Sequence, residues 1–136
     1  MLLARGLFSD DGDTETLVSG GGDGLVKLFS LETDRDGALE DPILLENGDE
    51  SVLTMALDGT VLYCGRLEGA VNVWDLDTRQ LIRTVEAHTA DVLTLAVGHG
   101  LIFSGASNGI AKVRIPKFHT STKLTTDHWP DLQFTP

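Results

Sequence analysis

Leu17-Val18-Ser19-Gly20-Gly21-Gly22-Asp23-Gly24 runs directly into the alternating stretch Leu25-Val26-Lys27-Leu28-Phe29, and the pattern occurs three times. Its second copy is Leu62-Tyr63-Cys64-Gly65-Arg66-Leu67-Glu68-Gly69 followed by Ala70-Val71-Asn72-Val73-Trp74. Its third is Ile102-Phe103-Ser104-Gly105-Ala106-Ser107-Asn108-Gly109 followed by Ile110-Ala111-Lys112-Val113-Arg114. Each copy has an apolar pair, a small residue, a glycine, three further residues and a second glycine. The second glycines, Gly24, Gly69 and Gly109, stand 45 and 40 residues apart. Self-similarity at that period is the mark of a repeat architecture.

A second anchor precedes the last two copies. Val52-Leu53-Thr54-Met55-Ala56-Leu57 matches Val92-Leu93-Thr94-Leu95-Ala96-Val97 at a spacing of 40 residues, and each lies 13 residues before its glycine, Gly65 or Gly105. Short runs of alternating apolar residues, rich in β-branched types, are the pattern of half-buried strands. Asp23-Gly24, Glu68-Gly69 and Asn108-Gly109 are hairpin turns, because glycine accepts the positive φ that tight turns require. Strands are therefore expected at 52–57, 61–65, 70–75 and 80–85, with counterparts in the other copies. Four short antiparallel strands in roughly 40–45 residues make one propeller blade.

The residues resemble the WD-repeat (WD40-type) β-propeller family. Val73-Trp74-Asp75-Leu76 carries the Trp-Asp ending, and Ala87-His88-Thr89-Ala90-Asp91-Val92 resembles the Gly-His element that opens a repeat. The resemblance implies an all-β chain of about three four-stranded antiparallel sheets, at 4–46, 48–86 and 88–126. Residues 127–136 are left as a tail or a truncated connection. In that family a His, a Ser or Thr, a turn Asp and a Trp often form a hydrogen-bonded set that stiffens a blade. The resemblance assigns blade-stiffening positions to Ser19, Asp23 and Phe29 in the first copy, Trp74 and Asp75 in the second, and His88, Ser104 and Asn108 in the third. No copy has the full set. Phe29 and Arg114 stand where Trp is expected, Cys64 and Glu68 replace Ser and Asp, and Gly48 lies near a His position. These blades are expected to lean on apolar packing.

Propellers close with roughly 4–8 blades, and three are present. The expectation is an open or incomplete propeller whose two outer faces lack neighbours. The chain is then part of a longer protein, a truncated gene product, or one member of a ring completed by association; the fragment reading is favoured. Within the family, Gly48 to Ile115 is similar to the WD-repeat region that precedes a metallopeptidase-like domain in fungal subunits of a glutathione-degrading peptidase complex.

Composition narrows the function classes. Among 136 residues, 21 Asp and Glu face 10 Lys and Arg, a formal charge of −11. That charge repels a phosphate backbone, so nucleic acid is not the expected partner. The acidity is lopsided, since residues 1–68 carry all of the excess and residues 69–136 are balanced. No run approaches the roughly 18 apolar residues of a membrane span. The N-terminal segment lacks a signal peptide's apolar run, and the single cysteine, Cys64, has no internal partner. The expected compartment is the cytoplasm, with the nucleus as the alternative.

Candidate chemistry fails residue by residue. His88, His99, His119 and His128 do not pair at zinc-ligand spacing. Calcium loops beginning at Asp11 or Glu32 lack the Glu required at the twelfth position. Ser19 to Gly24 is glycine-rich, but no Gly-Lys-Ser/Thr follows and a strand comes next where a phosphate site needs a helix. Cys64 is expected to be a buried, inert thiol. Trp129, Leu132 and Phe134 could form a docking peptide, or an ordinary connection between blades. No enzyme and no cofactor is expected. The expected function is a non-catalytic scaffold for protein–protein interaction, with self-association through open blade faces as a further route. The alternative is the propeller portion of a peptidase or amidohydrolase subunit. The acidic loops at 10–15 and 32–50, the second placed mostly in a long connection between the first two blades that accounts for the 45-residue spacing, are expected to favour a partner with a basic surface.

Overall fold

Alternation of apolar and polar residues gives each repeat two faces, and the fold is decided by what covers them. A computed structural model describes residues 1–5, 15–31, 37, 41–46, 50–115 and 131–134. Twelve strands form three four-stranded antiparallel sheets. The first holds β1 (Leu2–Arg5), β2 (Glu15–Gly20), β3 (Val26–Ser30) and β4 (Ile43–Leu45). The second holds β5 (Val52–Asp58), β6 (Val61–Arg66), β7 (Ala70–Asp75) and β8 (Gln80–Glu86). The third holds β9 (Val92–Gly98), β10 (Leu101–Ala106), β11 (Ala111–Arg114) and β12 (Asp131–Phe134). Within each sheet the strands lie in chain order. The chain is all-β as expected, three blades of an incomplete propeller.

The sheets stack through two apolar layers. Val18, Val26, Leu28 and Leu45 of the first sheet meet Leu62, Cys64, Trp74 and Leu76 of the second. Tyr63, Val71 and Val73, on the opposite face of the second sheet, meet Val92, Leu95 and Ile102 of the third. Each joint thus presses the back of one blade onto the front of the next. Burial of this apolar area is the main stabilising term at the joints.

Glycine makes the close approach. A Cβ on Gly20 would meet Val52 Cγ1 at 2.6 Å, and one on Gly65 would meet Val92 Cγ1 at 2.7 Å. The first residue of each new blade therefore seats in a hollow on the blade before it. The hairpin between β6 and β7 needs a glycine too. Gly69 has φ 101°, and a Cβ there would run into the His88 carbonyl oxygen.

Two placements differ from the sequence expectation. The acidic stretch 32–50 is not one connection between blades, because β4 divides it at Ile43–Leu45. Its longer part joins β3 to β4 inside the first blade, and residues 46–51 lead to the second. Likewise, residues 131–134 of the expected tail supply the third sheet's fourth strand, pairing Ala111 with Phe134 and Val113 with Leu132. Sixteen residues separate β11 from β12, where only four separate β7 from β8. A fixed blade length of about 40 residues therefore ended the third blade too early. Residues 131–134 form a sheet strand and no free docking peptide; Trp129 lies outside the described residues.

Candidate binding surfaces

The positions expected to stiffen the blades fall into two groups. In the third blade His88 Nε2 and Ser104 Oγ lie 2.8 Å apart, both residues buried, so the segment before β9 is tied to β10. Arg114 takes the place of a Trp and is buried to 2% exposure. Its Nη2 donates to the Ala87 carbonyl oxygen at 2.8 Å, and Lys112 Nζ donates to the same oxygen at 2.7 Å. A charged side chain is tolerated there because it donates to a carbonyl oxygen of the segment that links β8 to β9.

The turn residues serve the backbone nearby. Asp23 Oδ1 accepts from the Leu25 amide and Asn108 Oδ1 from the Ile110 amide, each closing its own hairpin. Asp75 Oδ1 accepts from the amides of Asp77 and Thr78, which shapes the turn into β8. Ser19 and Phe29 lie on the first blade's front, part-buried with no blade before them. Trp74 is buried against the first blade, and its Nε1 finds no acceptor among the described residues. The side chain at the serine position is Cys64, whose sulfur is a weak acceptor. Burial pushes the Cys64 thiol up to about 12, with Arg66 acting in the opposite direction. It is a fully buried core residue. Burial, and then the charge of Asp58, likewise raises the Tyr63 hydroxyl above its ordinary range.

Several residues that organise the joints carry no familiar motif. Ser51 Oγ donates to the Gly22 carbonyl, and Asp91 Oδ1 accepts from the Glu68 amide. Both stand immediately before the valine that opens a blade, and each ties that blade to the hairpin between the second and third strands of the blade before it. Extending the repeat alignment by one residue would have found them. Arg66, 1% exposed, donates through Nη1 to the carbonyls of Gly24 and Glu50 at 3.1 and 2.6 Å.

Three concavities are lined by described residues. A polar cleft of about 260 Å³ is lined by Glu50, Arg66, Glu68, Asn72, Thr84 and Glu86 on the rim between the first two blades. A second, about 320 Å³, lies on the first blade's open front beside Ser19, Asp23 and Lys27. A third, about 380 Å³ and mostly apolar, lies on the third blade's open back beside Ala96, Phe103, Gly105 and Val113. Of the acidic residues expected to recruit a partner, Asp41, Glu46 and Glu50 are exposed. Residues 10–14, 32–36, 38–40 and 47–49, and with them His119 and His128, lie outside the described residues. His99 is exposed in the turn from β9 to β10. Among the described residues, no three His, Cys, Asp or Glu side chains gather to hold a metal, and no helix is long and apolar enough to cross a membrane.

No protein-family model matches the chain. Over 100 residues it is 30% identical to the probable di- and tripeptidase DUG2 of Saccharomyces cerevisiae, a match covering 71% of this chain and 11% of that protein. Over 95 residues it is 24% identical to autophagy-related protein 16 of Arabidopsis thaliana, covering 68% of this chain and 18% of that one. The chain thus spans less than a fifth of the length of either relative. Among solved structures, the WD40 β-propeller domain of Doa1 superimposes with a TM-score of 0.61 at 22% identity, over 72% of this chain and 33% of that one. The RRP9 WD40 repeats superimpose with a TM-score of 0.63 at 22% identity, over 83% of this chain and 34% of that one. Sheet order, the front-to-back joints and these superpositions agree, and the chain has the WD40 β-propeller fold in the form of three consecutive blades.

Proposed function

We propose that the chain is a non-catalytic scaffold for protein–protein interaction, its three blades being a fragment of a larger propeller. The supporting observation is the arrangement of the sheets. Apolar layers lock the blades together while hairpins and connections project at the rims, so a rigid frame displays variable loops for recognition. The partner this reading favours has a basic surface. Asp41, Glu46 and Glu50 are exposed on the acidic half of a chain whose net charge is −11. Charge of that kind accelerates encounter and is screened beyond a Debye length of about 8 Å at physiological ionic strength. The site of action on this reading is the cytoplasm.

Affinity capture with the purified chain, repeated with Glu40, Asp41, Asp49 and Glu50 changed to Gln or Asn, tests this. Captured proteins should associate fast at low salt and slowly at physiological salt, and the substitutions should flatten that dependence. Association indifferent to both would remove the charge-guided reading, and peptide hydrolysis by the chain alone would remove the scaffold.

The similarity to the yeast peptidase favours a second reading, in which these blades are the propeller portion of a peptidase subunit. A metallopeptidase domain encoded downstream of Pro136 in the transcript would establish it. A transcript that ends at Pro136 would dismiss it.

A further inference from the structure

One position separates the second repeat from the other two. Lys27 pairs with Ser19 in the first blade and Lys112 with Ser104 in the third, while the same register of the second blade pairs Asn72 with Cys64. In the joint between the second and third blades, Lys112 is part-buried and its Nζ donates to the Ala87 carbonyl oxygen at 2.7 Å. In the joint between the first and second blades that amine is missing, and the polar cleft of about 260 Å³ opens over Asn72. Both blades bordering the cleft are in place, so its walls do not depend on further blades.

The loss of the lysine is matched by a gain of carboxylates. Glu50 and Glu68 edge the cleft where the matching positions of the third repeat hold Ala90 and Asn108. Glu86 faces them from β8, and all three are exposed. The floor is buried, with Asn72 and Arg66 each 1% exposed. Arg66 Nη1 is directed at the carbonyls of Gly24 and Glu50. Three carboxylates against one guanidinium leave the lining a formal charge of −2. Thr84 Oγ1 donates to Asn72 Oδ1 at 3.0 Å, which sets two further oxygens beside the carboxylates. An ammonium, with three donors and no acceptor, matches a lining of this kind.

We infer that a partner protein supplies the missing amine. A lysine side chain enters the cleft from the rim, and its ammonium takes among Glu50, Glu68 and Glu86 the place that Lys112 fills from within at the next joint. This rests on the scaffold reading above and gives the basic partner a point of attachment. Lysine suits the cleft better than arginine, because the equivalent place holds a compact ammonium on a flexible stem and the floor already carries one guanidinium. Association then has two separable parts. Acidic loops outside the cleft govern the rate of encounter, and the seated lysine governs how long the complex lasts.

Nuclear magnetic resonance of the isotopically labelled full chain, titrated with Nα-acetyl-lysine methylamide, reads the cleft directly. Saturable shifts are expected at the amides of Glu68, Ala70, Asn72, Thr84 and Glu86, and none with the uncharged Nε-acetylated analogue. Asn72→Lys places an internal amine in the cleft and should abolish these shifts while the remaining spectrum stays that of the folded chain. Glu68→Gln combined with Glu86→Gln, both at exposed positions, should weaken the lysine compound about fivefold or more. Proteins captured by the wild type should leave both variants faster, with the association rate and its salt dependence retained, because the loops at 10–15 and 32–50 are intact. Shifts that do not saturate, or equal shifts with the uncharged analogue, overturn the inference. So do dissociation rates that the double Gln variant does not alter, and the captured partners then still uphold the scaffold. A chain that seats the lysine compound but captures no protein ends the scaffold reading and leaves the amine seat standing.

Discussion

The second and third blades carry the same pattern and live under different conditions. β6 is buried at every position from Leu62 to Arg66, whereas β10 alternates, with Ile102 and Ser104 buried and Phe103 exposed. The motif makes the strand in both cases. Neighbours decide whether its second face becomes core. A blade is thus only partly specified by its own sequence, and its stability is a sum of an internal term and joint terms.

Trp74 and Phe29 probe this difference most strongly, because they occupy the same register on a covered and an open front. At dilutions that keep the chain monomeric, Trp74→Ala should cost about 3–5 kcal/mol, the usual loss for a buried aromatic. Phe29→Ala should cost less than about 1.5 kcal/mol, since its face meets solvent. Chemical denaturation measures both, and equal losses would mean that the first blade's front is covered after all.

His88 comes next. Removing it leaves Ser104 Oγ buried without its 2.8 Å partner, an effect of about 1–3 kcal/mol. A loss at or above that of Trp74→Ala would reverse the ranking of packing over hydrogen bonding in these blades.

Gly65 and Gly105 sharpen the comparison further, since each would place a Cβ against a threonine of its own sheet at 2.6 or 2.7 Å. Only Gly65 also has Val92 above it. Gly65→Ala is expected to cost about 1–3 kcal/mol through overpacking, with Gly105→Ala clearly milder in the monomer. Thermal melting distinguishes them.

The smallest effect is alkaline. Burial holds the Cys64 thiol neutral until about pH 12, against an ordinary value near 9. The folded state therefore keeps a proton that the unfolded state gives up. The resulting stabilisation is complete below pH 9 and declines as pH rises towards 12, by at most about 1.4 kcal/mol per pH unit for one group. Tyr63 acts in the same direction from about pH 10 upward. Melting of wild type and Cys64→Ala across that range should show a shallower decline in the variant. Alkylation of Cys64 at pH 8 should wait for unfolding.

Strand positions were legible because alternation and turn glycines are local. The expected 61–65 and 80–85 became Val61–Arg66 and Gln80–Glu86. The third blade's last strand was not legible, because connection length has no local signature and its composition resembles that of any loop. The buried Arg66 escaped notice for a related reason. A charged residue after a strand reads as surface, and the carbonyls of Gly24 and Glu50, one of them 42 residues away in sequence, give its guanidinium a reason to be inside.

The paired ties before each blade, Ser51 to Gly22 and Asp91 to Glu68, also bear on how the chain comes apart. Each crosses from the residue before a first strand to the β2–β3 or β6–β7 hairpin of the preceding blade, so cooperativity passes only between nearest neighbours. The end sheets can open one at a time while the middle sheet stays shut. Amide protons of β6 and β7 should then exchange through the rarest, global opening, and those of β2 and β10 through cheaper excursions of a single end. A folding nucleus in such an array belongs in the middle, where one collapsing sheet creates two templates at once.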